Sequence, residues 1–291
     1  MMATSLGLFF TVLWSSAAIA TKFGLQAAPP LWLATMRFLI AGGLLFLYVY
    51  VIRRQSRWPR RREWGQLGLL GLLNTTVYLG ATFWALHAVS AGLFNLFVTI
   101  NPFVVAILAS LVLKRPIVRR EWIGMLVAGT GLLVATGPAV AHGSATLPGI
   151  AVLVVGMLSM AMGSVYFTTV RWELPSIAIH TWQISIGGIL LVPITYLMER
   201  HAGPLTVGPA LIGSLAWLVL VISIGTMLLW FFLLRQDVMR ANNWLFLTPV
   251  FGYGLAAVFL HERITTGDLV ATIFVMTGLW LSGNITGPTR R

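Results

Sequence analysis

Two basic side chains stand inside long apolar stretches of the sequence. Lys22 follows an apolar run that starts near residue 4, and Arg37 lies within a second run that ends near residue 52. A cation held in hydrocarbon is costly unless it pairs or reaches the interface, so both are candidates for attracting the carboxylate of a ligand. Neither has an acidic neighbour in sequence. The alternative is structural: Lys22 snorkels to the surface and Arg37 bonds to helix ends.

The seven acidic residues are placed differently from these two cations. All seven fall at expected loop or helix-end positions, and none lies in the middle of an apolar run. A buried anion would be needed to hold a cationic or polyamine substrate, so such a site is disfavoured. A carboxylate buried in an apolar run can also act as a proton relay, and none of the seven acids is placed to do so.

Uncharged polar and aromatic residues near the centres of the apolar runs are further candidates for a binding site. Amides need partners in an apolar medium, and aromatic rings line cavities that hold amphipathic molecules such as amino acids. The alternative is that hydroxyls bond within their own helix and that rings form interface belts. The substrate-binding candidates of this kind are Trp14, Ser15, Asn74, Tyr78, Asn101, Tyr166, Trp230, Asn243 and Tyr253.

Two prolines occupy equivalent places inside apolar runs. Pro102 and Pro249 would each free the carbonyl four residues earlier and bend a helix. A static kink is one interpretation. The other is a pair of hinges that open and close a passage.

Several chemistries find no support in the sequence. The chain has no cysteine, which removes thiolate catalysis, disulfides and cysteine-based metal sites. Its five histidines form no pair with another ligand four residues away, and we find neither a phosphate-binding glycine loop nor a Ser-His-Asp layout. We therefore expect no catalytic residue, no metal and no cofactor.

The composition shows which environment must surround these residues. Of 291 residues, 58% are hydrophobic and 9% are charged, against about 25% charged in a typical soluble domain. So few charges could not solvate the surface of a soluble protein of this length. The sequence therefore predicts an integral membrane protein, and the net charge of +12 indicates basic loops on one side rather than a nucleic-acid partner.

Charged residues and prolines divide the chain into ten apolar segments. A helical crossing needs about 20 residues, and the uncharged stretches 64–113 and 122–170 each leave room for two. These stretches are too long and too uniformly apolar for the alternating strands of a β-barrel. The sequence thus predicts an all-α polytopic membrane protein with ten transmembrane helices.

The basic residues give this arrangement an orientation. With the amino terminus inside, fifteen Lys and Arg fall on the inner side and two, Arg200 and Arg263, on the outer side. An excess of basic residues marks the cytoplasmic face. We expect both termini in the cytoplasm and the protein in a bacterial cytoplasmic (inner) membrane.

The two halves of the chain carry the same residues at matching positions. Five spans in each half is an odd number, so the second half must enter from the opposite side. Inverted repeats of this kind are typical of transporters, whose binding sites lie near the midplane. We expect repeats at residues 1–140 and 141–291. The pairs separated by 147 residues are Pro102 and Pro249, Leu113 and Leu260, Ile117 and Ile264, and Gly131 and Gly278.

Three segments also resemble a known family. Trp14-Ser15-Ser16, the segment 30–38, and the helix with Pro249-Val250-Phe251 and the segment 260–264, followed by Gly278, resemble the EamA branch of the drug/metabolite transporter superfamily. The resemblance implies ten helices in two inverted five-helix repeats that move small organic metabolites, often outward. The first half departs from the pattern, since Lys114-Arg115-Pro116 stands where the second half has His261-Glu262-Arg263.

Three functions are weighed on this basis. The leading hypothesis is a secondary transporter that exports small metabolites, chiefly amino acids including aromatic ones, by alternating access. The second is a transporter of organic or phosphorylated anions that uses Lys22 and Arg37. The third, an intramembrane enzyme or a scaffold, would need acids or histidines clustered at one depth, which the sequence lacks. The expected partners are a small-molecule substrate and the lipid bilayer, with no nucleic acid, and the protein acts as a monomer or a homodimer.

Overall fold

The chain folds into helices along its described length. The structure is a computed structural model that describes residues 2–54, 56–112, 114, 116–236 and 244–282. Within these ranges there is no strand, and one isolated antiparallel bridge joins Val89 to Ala145. The prediction of an all-α polytopic protein is confirmed.

Eight helical runs in the described part of the chain are long and apolar enough to cross a membrane. The ninth and tenth expected spans correspond to two shorter apolar helices, Leu245–Leu260 and Thr266–Leu281. The helices are α1 (Met2–Gly24), α2 (Pro30–Phe46), α3 (Arg61–Gly71), α4 (Tyr78–Ala88), α5 (Ala91–Thr99), α6 (Asn101–Val112), α7 (Arg119–Ala141), α8 (Leu147–Thr169), α9 (Ser176–Glu199), α10 (Pro209–Ala216), α11 (Met227–Gln236), α12 (Thr248–Leu260) and α13 (Thr266–Leu281).

Three stretches have the wider π-helical turn. They are Leu47–Ile52 after α2, Leu72–Val77 between α3 and α4, and Trp217–Thr226 between α10 and α11. A π-helical turn bonds each N–H five residues back instead of four, and such turns are frequent at functional sites.

Helices α7 and α13 begin in the same way. The Glu121 carboxylate accepts the backbone N–H of Val118 at 3.0 Å, and the Asp268 carboxylate accepts that of Thr265 at 2.9 Å. An acidic side chain in the first helical turn satisfies a free N–H and complements the helix dipole. These acids therefore fix where each helix starts.

Three described residues that are not glycine have a left-handed φ, and the first, Arg54, follows the π-helical stretch Leu47–Ile52 with φ 47°. Lys114 follows α6 with φ 54°, and His261 follows α12 with φ 55°. This backbone conformation costs roughly 1 kcal/mol for a residue with a Cβ.

The chain divides into two compact units, each drawn from both halves of the sequence. The first unit comprises Met1–Ile19, Ala88–Ile150 and Leu229–Arg291, and the second comprises Ala20–His87 and Ala151–Leu228.

The first unit is built on antiparallel helix pairs. Helices α7 and α13 pack closely because glycines face each other: a Cβ on Gly278 would lie 2.4 Å from the carbonyl oxygen of Gly124. A Cβ on Gly131 would lie 2.8 Å from the carbonyl oxygen of Ala271. Small residues let helix backbones approach in an apolar medium, where dispersion replaces the hydrophobic effect. Helices α5 and α12 form the second pair of this unit.

The second unit is built on the antiparallel pair α2 and α9. The hydroxyls of Thr35 and Thr195 share a hydrogen bond of 2.7 Å. Further along, a Cβ on Gly42 would lie 2.6 Å from the Ser185 hydroxyl oxygen. The close contact therefore continues over several turns of both helices.

An aromatic cluster and a group of ion pairs lie at one end of this pair. The Trp182 indole N–H donates to the Tyr50 hydroxyl at 2.7 Å. Arg57 bonds Glu63 at 2.7 Å, and this hydrogen bond raises the pKa of the guanidinium above its usual value. Glu173 accepts from Arg60 at 2.6 Å. These contacts tie the π-helical stretch after α2 and the loop that follows it to the start of α3, to α9 and to the loop before α9.

Candidate functional site

A polar network centred on Arg37 lies inside the second unit. The Arg37 side chain is buried, with 7% of its surface exposed, and its Nε donates to the Ser223 hydroxyl at 3.1 Å. His180 Nε2 lies 3.1 Å from the Ser223 carbonyl oxygen. The network therefore joins α2, α9 and the π-helical segment Trp217–Thr226.

Two aromatic rings flank the Arg37 guanidinium. Its Cζ lies 5.3 Å from the centre of the Phe38 ring and 5.5 Å from that of Phe83. A cation over a ring face gains about 2 kcal/mol when both are desolvated. The rings thus offset part of the cost of burying the charge.

The π-helical turns place hydroxyls at fixed positions. The Ser223 hydroxyl donates to the carbonyl of Leu218 at 2.9 Å, five residues earlier, which leaves its lone pairs free to accept from Arg37. Thr226 makes the same kind of bond to Val221 at 2.8 Å. Ser223 is thus anchored to its own helix while it still accepts a hydrogen bond from Arg37 on another helix.

Hydroxyl groups also make hydrogen bonds between helices at the π-helical segment Leu72–Val77. The Thr76 hydroxyl donates to the carbonyl of Gly187 on α9 at 2.9 Å, and the Ser159 hydroxyl donates to the carbonyl of Leu73 at 2.8 Å. The Asn74 side-chain oxygen and the Thr75 hydroxyl are buried without a partner among the described residues. This segment therefore presents unused polar atoms.

The structure places five of the sequence candidates in the second unit. Arg37 has the partners given above, and Lys22 is half-buried near the end of α1. Tyr78 is buried, with its ring 3.8 Å from a Cβ placed on a glycine of α8. Tyr166 packs at the edge of the apolar core around Trp182, and Asn74 lies in the π-helical segment described above.

Four more candidates lie in the first unit with described contacts. Ser15 is fully buried and donates to the carbonyl of Thr248 at 3.1 Å. Trp230 stacks on Phe10 with ring centres 5.0 Å apart, and Trp14 packs on the same ring at 5.8 Å. Tyr253 donates to the Asp268 carboxylate at 3.1 Å.

Asn101 and the two prolines lie at starts of helices. Asn101 opens α6 directly after a break at Ile100, and its side-chain oxygen is buried without a partner among the described residues. Pro102 follows it, and Pro249 stands at the first turn of α12. Each proline therefore begins a helical segment rather than interrupting one. Asn243 lies outside the described residues.

Two glutamates outside the candidate set cap helices from other parts of the chain. Glu199, at the end of α9, accepts the backbone N–H of Leu31 at 3.0 and 3.1 Å and that of Trp32 at 3.0 Å. Glu262 accepts the N–H groups of Ala91 at 2.8 Å and Gly92 at 3.1 Å. Each carboxylate ties one end of an antiparallel pair, within its own unit.

The sequence offered only a partial signal for these contacts. Ser223 stands 147 residues after Thr76, so the repeat offset pairs two hydroxyls. Both make hydrogen bonds to the pair α2 and α9, Thr76 to Gly187 and Ser223 to Arg37. The glutamates were expected at helix ends, which is where they lie. Their backbone partners are more than 160 residues away in sequence, and no local pattern indicates them.

Comparison with known proteins assigns the sequence to a family. The model of the EamA-like transporter family matches residues 1–137 and again 147–284. A protein of known crystal structure covers 97% of this chain and 98% of its own with a TM-score of 0.63 and 19% identity, which is a likeness of fold.

Several curated proteins are similar over most of their length. The uncharacterized transporter YvbV of Bacillus subtilis is 24% identical over 94% of this chain and 88% of its own. Protein PecM of Dickeya dadantii is 25% identical, covering 96% and 91%. The uncharacterized inner membrane transporter YedA of Escherichia coli K12 is 26% identical, covering 91% and 87%. These matches point to a transporter rather than an enzyme. The chain belongs to the EamA-like transporter family and is an integral membrane transporter.

Proposed function

We propose that the protein is a secondary transporter that exports small metabolites, chiefly amino acids including aromatic ones, by alternating access. The mechanism needs two repeats that insert in opposite directions and rearrange around a shared site. The observation that carries the proposal is the reciprocal packing of helices that correspond between the halves of the chain.

Helices α7 and α13 supply one reciprocal pair of contacts. At the offset of 147 residues, Gly124 corresponds to Ala271 and Gly278 corresponds to Gly131. The contact between Gly124 and Gly278 thus corresponds to the contact between Ala271 and Gly131, and both are made. Contacts that recur in this exchanged form are those of a two-fold axis relating the two helices.

Helices α2 and α9 supply another. With an offset of 146, the approach of Gly42 to Ser185 corresponds to the approach of Gly188 to Leu39. A Cβ on Gly188 would lie 3.4 Å from the Leu39 backbone nitrogen. These two approaches support the same two-fold relation between the paired helices of the second unit.

The helix ends add local support. Glu121 and Asp268 cap α7 and α13 with the same hydrogen bond, and Lys114 and His261 share the left-handed backbone. Both pairs are separated by 147 residues. These agreements support repeats of residues 1–140 and 141–291 with five spans each, and hence both termini on the cytoplasmic side of a bacterial inner membrane.

The nature of the substrate is inferred from the side chains. Stacked rings of Phe10 and Trp230, with Trp14 beside them, suit a substrate with an apolar or aromatic part. Pro102 and Pro249 each begin a helical segment at corresponding places, which supports their role as hinges. Transport of organic or phosphorylated anions is the second candidate. The buried Arg37, with no carboxylate in reach among the described residues, favours it.

Flux measurements test the function. Purified protein in liposomes should give saturable counterflow of one or more amino acids, and liposomes without protein should not. Absence of saturable flux for every proteinogenic amino acid, with folded protein, would contradict the leading proposal.

Cysteine labelling tests the arrangement separately. The chain lacks cysteine, so Ser56→Cys and Gly203→Cys each create a single thiol in a loop. An impermeant maleimide applied to intact cells should label Cys at position 203 and spare position 56. The reverse result, or labelling of both in sealed cells, would refute the proposed topology.

A further inference from the structure

The Arg37 guanidinium has more hydrogen-bonding capacity than its surroundings use. It carries five N–H groups in a planar fork, and among the described residues only Nε has a partner, the Ser223 hydroxyl. The ion pairs of the described residues all involve Arg57 or Arg60. The two Nη groups of Arg37 are therefore left for another acceptor.

The position of Arg37 makes this unusual. It stands about 10 Å along α2 from Pro30, well inside an apolar span. A buried charge without an opposite charge is strongly unfavourable, and two phenyl rings offset only part of the cost. An anion placed on the Nη groups would supply the missing charge and two parallel hydrogen bonds.

The surroundings hold the guanidinium in one orientation. Ser223 is fixed by its bond to Leu218, and its carbonyl faces His180. Buried, unpartnered hydroxyls of Thr75 and Thr82 lie in the same helical run as Phe83, whose ring flanks Arg37. These hydroxyls are additional polar atoms within the second unit that no described group satisfies.

We propose that Arg37 binds the carboxylate of the transported substrate through its two Nη groups, and that Ser223 positions it. This inference rests on the proposed function and specifies how its substrate is recognised. A free organic acid or a phosphate would present the same kind of anionic oxygens, so the shared chemistry is an anion with paired oxygens.

Ligand binding to the full-length protein tests the proposal. Four probes separate the possible sources: phenylalanine, its carboxamide without the carboxylate, hydrocinnamate without the amine, and inorganic phosphate. Affinity is measured by calorimetry and by the rise of the thermal midpoint. We expect phenylalanine to bind and the carboxamide to bind at least 10-fold more weakly, since charged hydrogen bonds are lost (about 10- to 100-fold).

Variants assign the effect to the residue. Arg37→Gln should weaken phenylalanine binding about 10- to 100-fold and leave the weak binding of the carboxamide unchanged. Arg37→Lys retains the charge but loses the fork, and it keeps the test valid if the glutamine variant does not fold. Ser223→Ala should weaken binding about 5-fold. Arg62→Gln, at an exposed position of the same unit, is the matched control and should not change it.

The outcomes separate this inference from the proposed function. Phenylalanine binding that is unchanged in Arg37→Gln and Arg37→Lys overturns the role of Arg37 and leaves amino-acid export standing. Arg37-dependent binding of hydrocinnamate or phosphate, without binding of any amino acid, supports the anion site and refutes amino-acid export. Folded wild-type protein that binds no probe and no amino acid overturns both.

Discussion

The Glu199 carboxylate provides a stability prediction that can be worked from its contacts. It is buried, with 9% of the residue exposed, and it accepts two backbone N–H groups at the start of α2 at 3.0 Å. The residue before α2 is Pro29, whose side chain cannot cap the helix. The glutamate therefore serves a helix end that has no cap of its own.

Replacing Glu199 by Gln keeps the shape but removes the charge and one acceptor oxygen. A hydrogen bond to a charged group contributes about 1.5–3 kcal/mol, and a carboxylate at a partly buried helix terminus gains up to about 2 kcal/mol from the dipole. Since the amide retains one bond, we expect a net loss of about 2–3 kcal/mol. At about 2–4 °C per kcal/mol, the thermal midpoint should fall by roughly 4–12 °C.

The assay compares thermal midpoints of purified variants in one detergent, with amide hydrogen exchange at Leu31 and Trp32 as a second measurement. Glu173→Gln is the matched control, because its side chain is 60% exposed and bonds Arg60 at 2.6 Å. An exposed ion pair contributes about 0–1 kcal/mol, so this variant should change little. Equal midpoints for the two variants, with unchanged exchange at Leu31 and Trp32, would refute the reasoning.

Three further predictions concern packing, backbone strain and the aromatic cluster. Gly278→Ala should destabilise the protein by about 1–3 kcal/mol, because the new Cβ would lie 2.4 Å from a backbone oxygen. Gly129→Ala, with open space around it, should stabilise the protein by up to about 1 kcal/mol. Thermal midpoints that move in the same direction for both variants would contradict this. Lys114→Gly should raise the midpoint, by about 0.5–1 kcal/mol in stability, since φ of 54° suits glycine; a lower midpoint would show that no strain is relieved. Tyr50→Phe removes the hydroxyl that accepts from the Trp182 indole, 2.7 Å away, so the free energy of unfolding should fall by about 1 kcal/mol and the tryptophan fluorescence should shift. An unchanged spectrum and an unchanged thermal midpoint would exclude this hydrogen bond.

The second cap allows an independent check of the first prediction. Glu262→Gln should also lower the midpoint, since its carboxylate accepts from Ala91 and Gly92 in the first unit. The loss should be smaller than at Glu199, because Ser90 already caps α5 by accepting from Leu93. A larger loss at Glu262 would show that side-chain capping by Ser90 contributes little.

The sequence by itself determined the class of protein and the positions of its helices. A chain with 9% charged residues must bury its backbone in lipid, and only helices satisfy every backbone group there. Gaps between charges therefore mark the spans. The apolar runs 64–113 and 122–170 each hold one complete helical run and most of a second. The 147-residue offset is also visible in sequence, because a proline, a leucine, an isoleucine and a glycine each recur with it.

Which polar residues meet was decided only by the tertiary structure. Arg37 was identified as a buried cation, but its bond to Ser223 spans 186 residues and depends on the wide turn that aims this hydroxyl. The carboxylates of Glu199 and Glu262 bind backbone N–H groups, which every residue except proline carries. The type of the partner residue therefore gives no sequence signal for these contacts. Local patterns specify where helices begin and end, whereas distant contacts depend on how the helices pack.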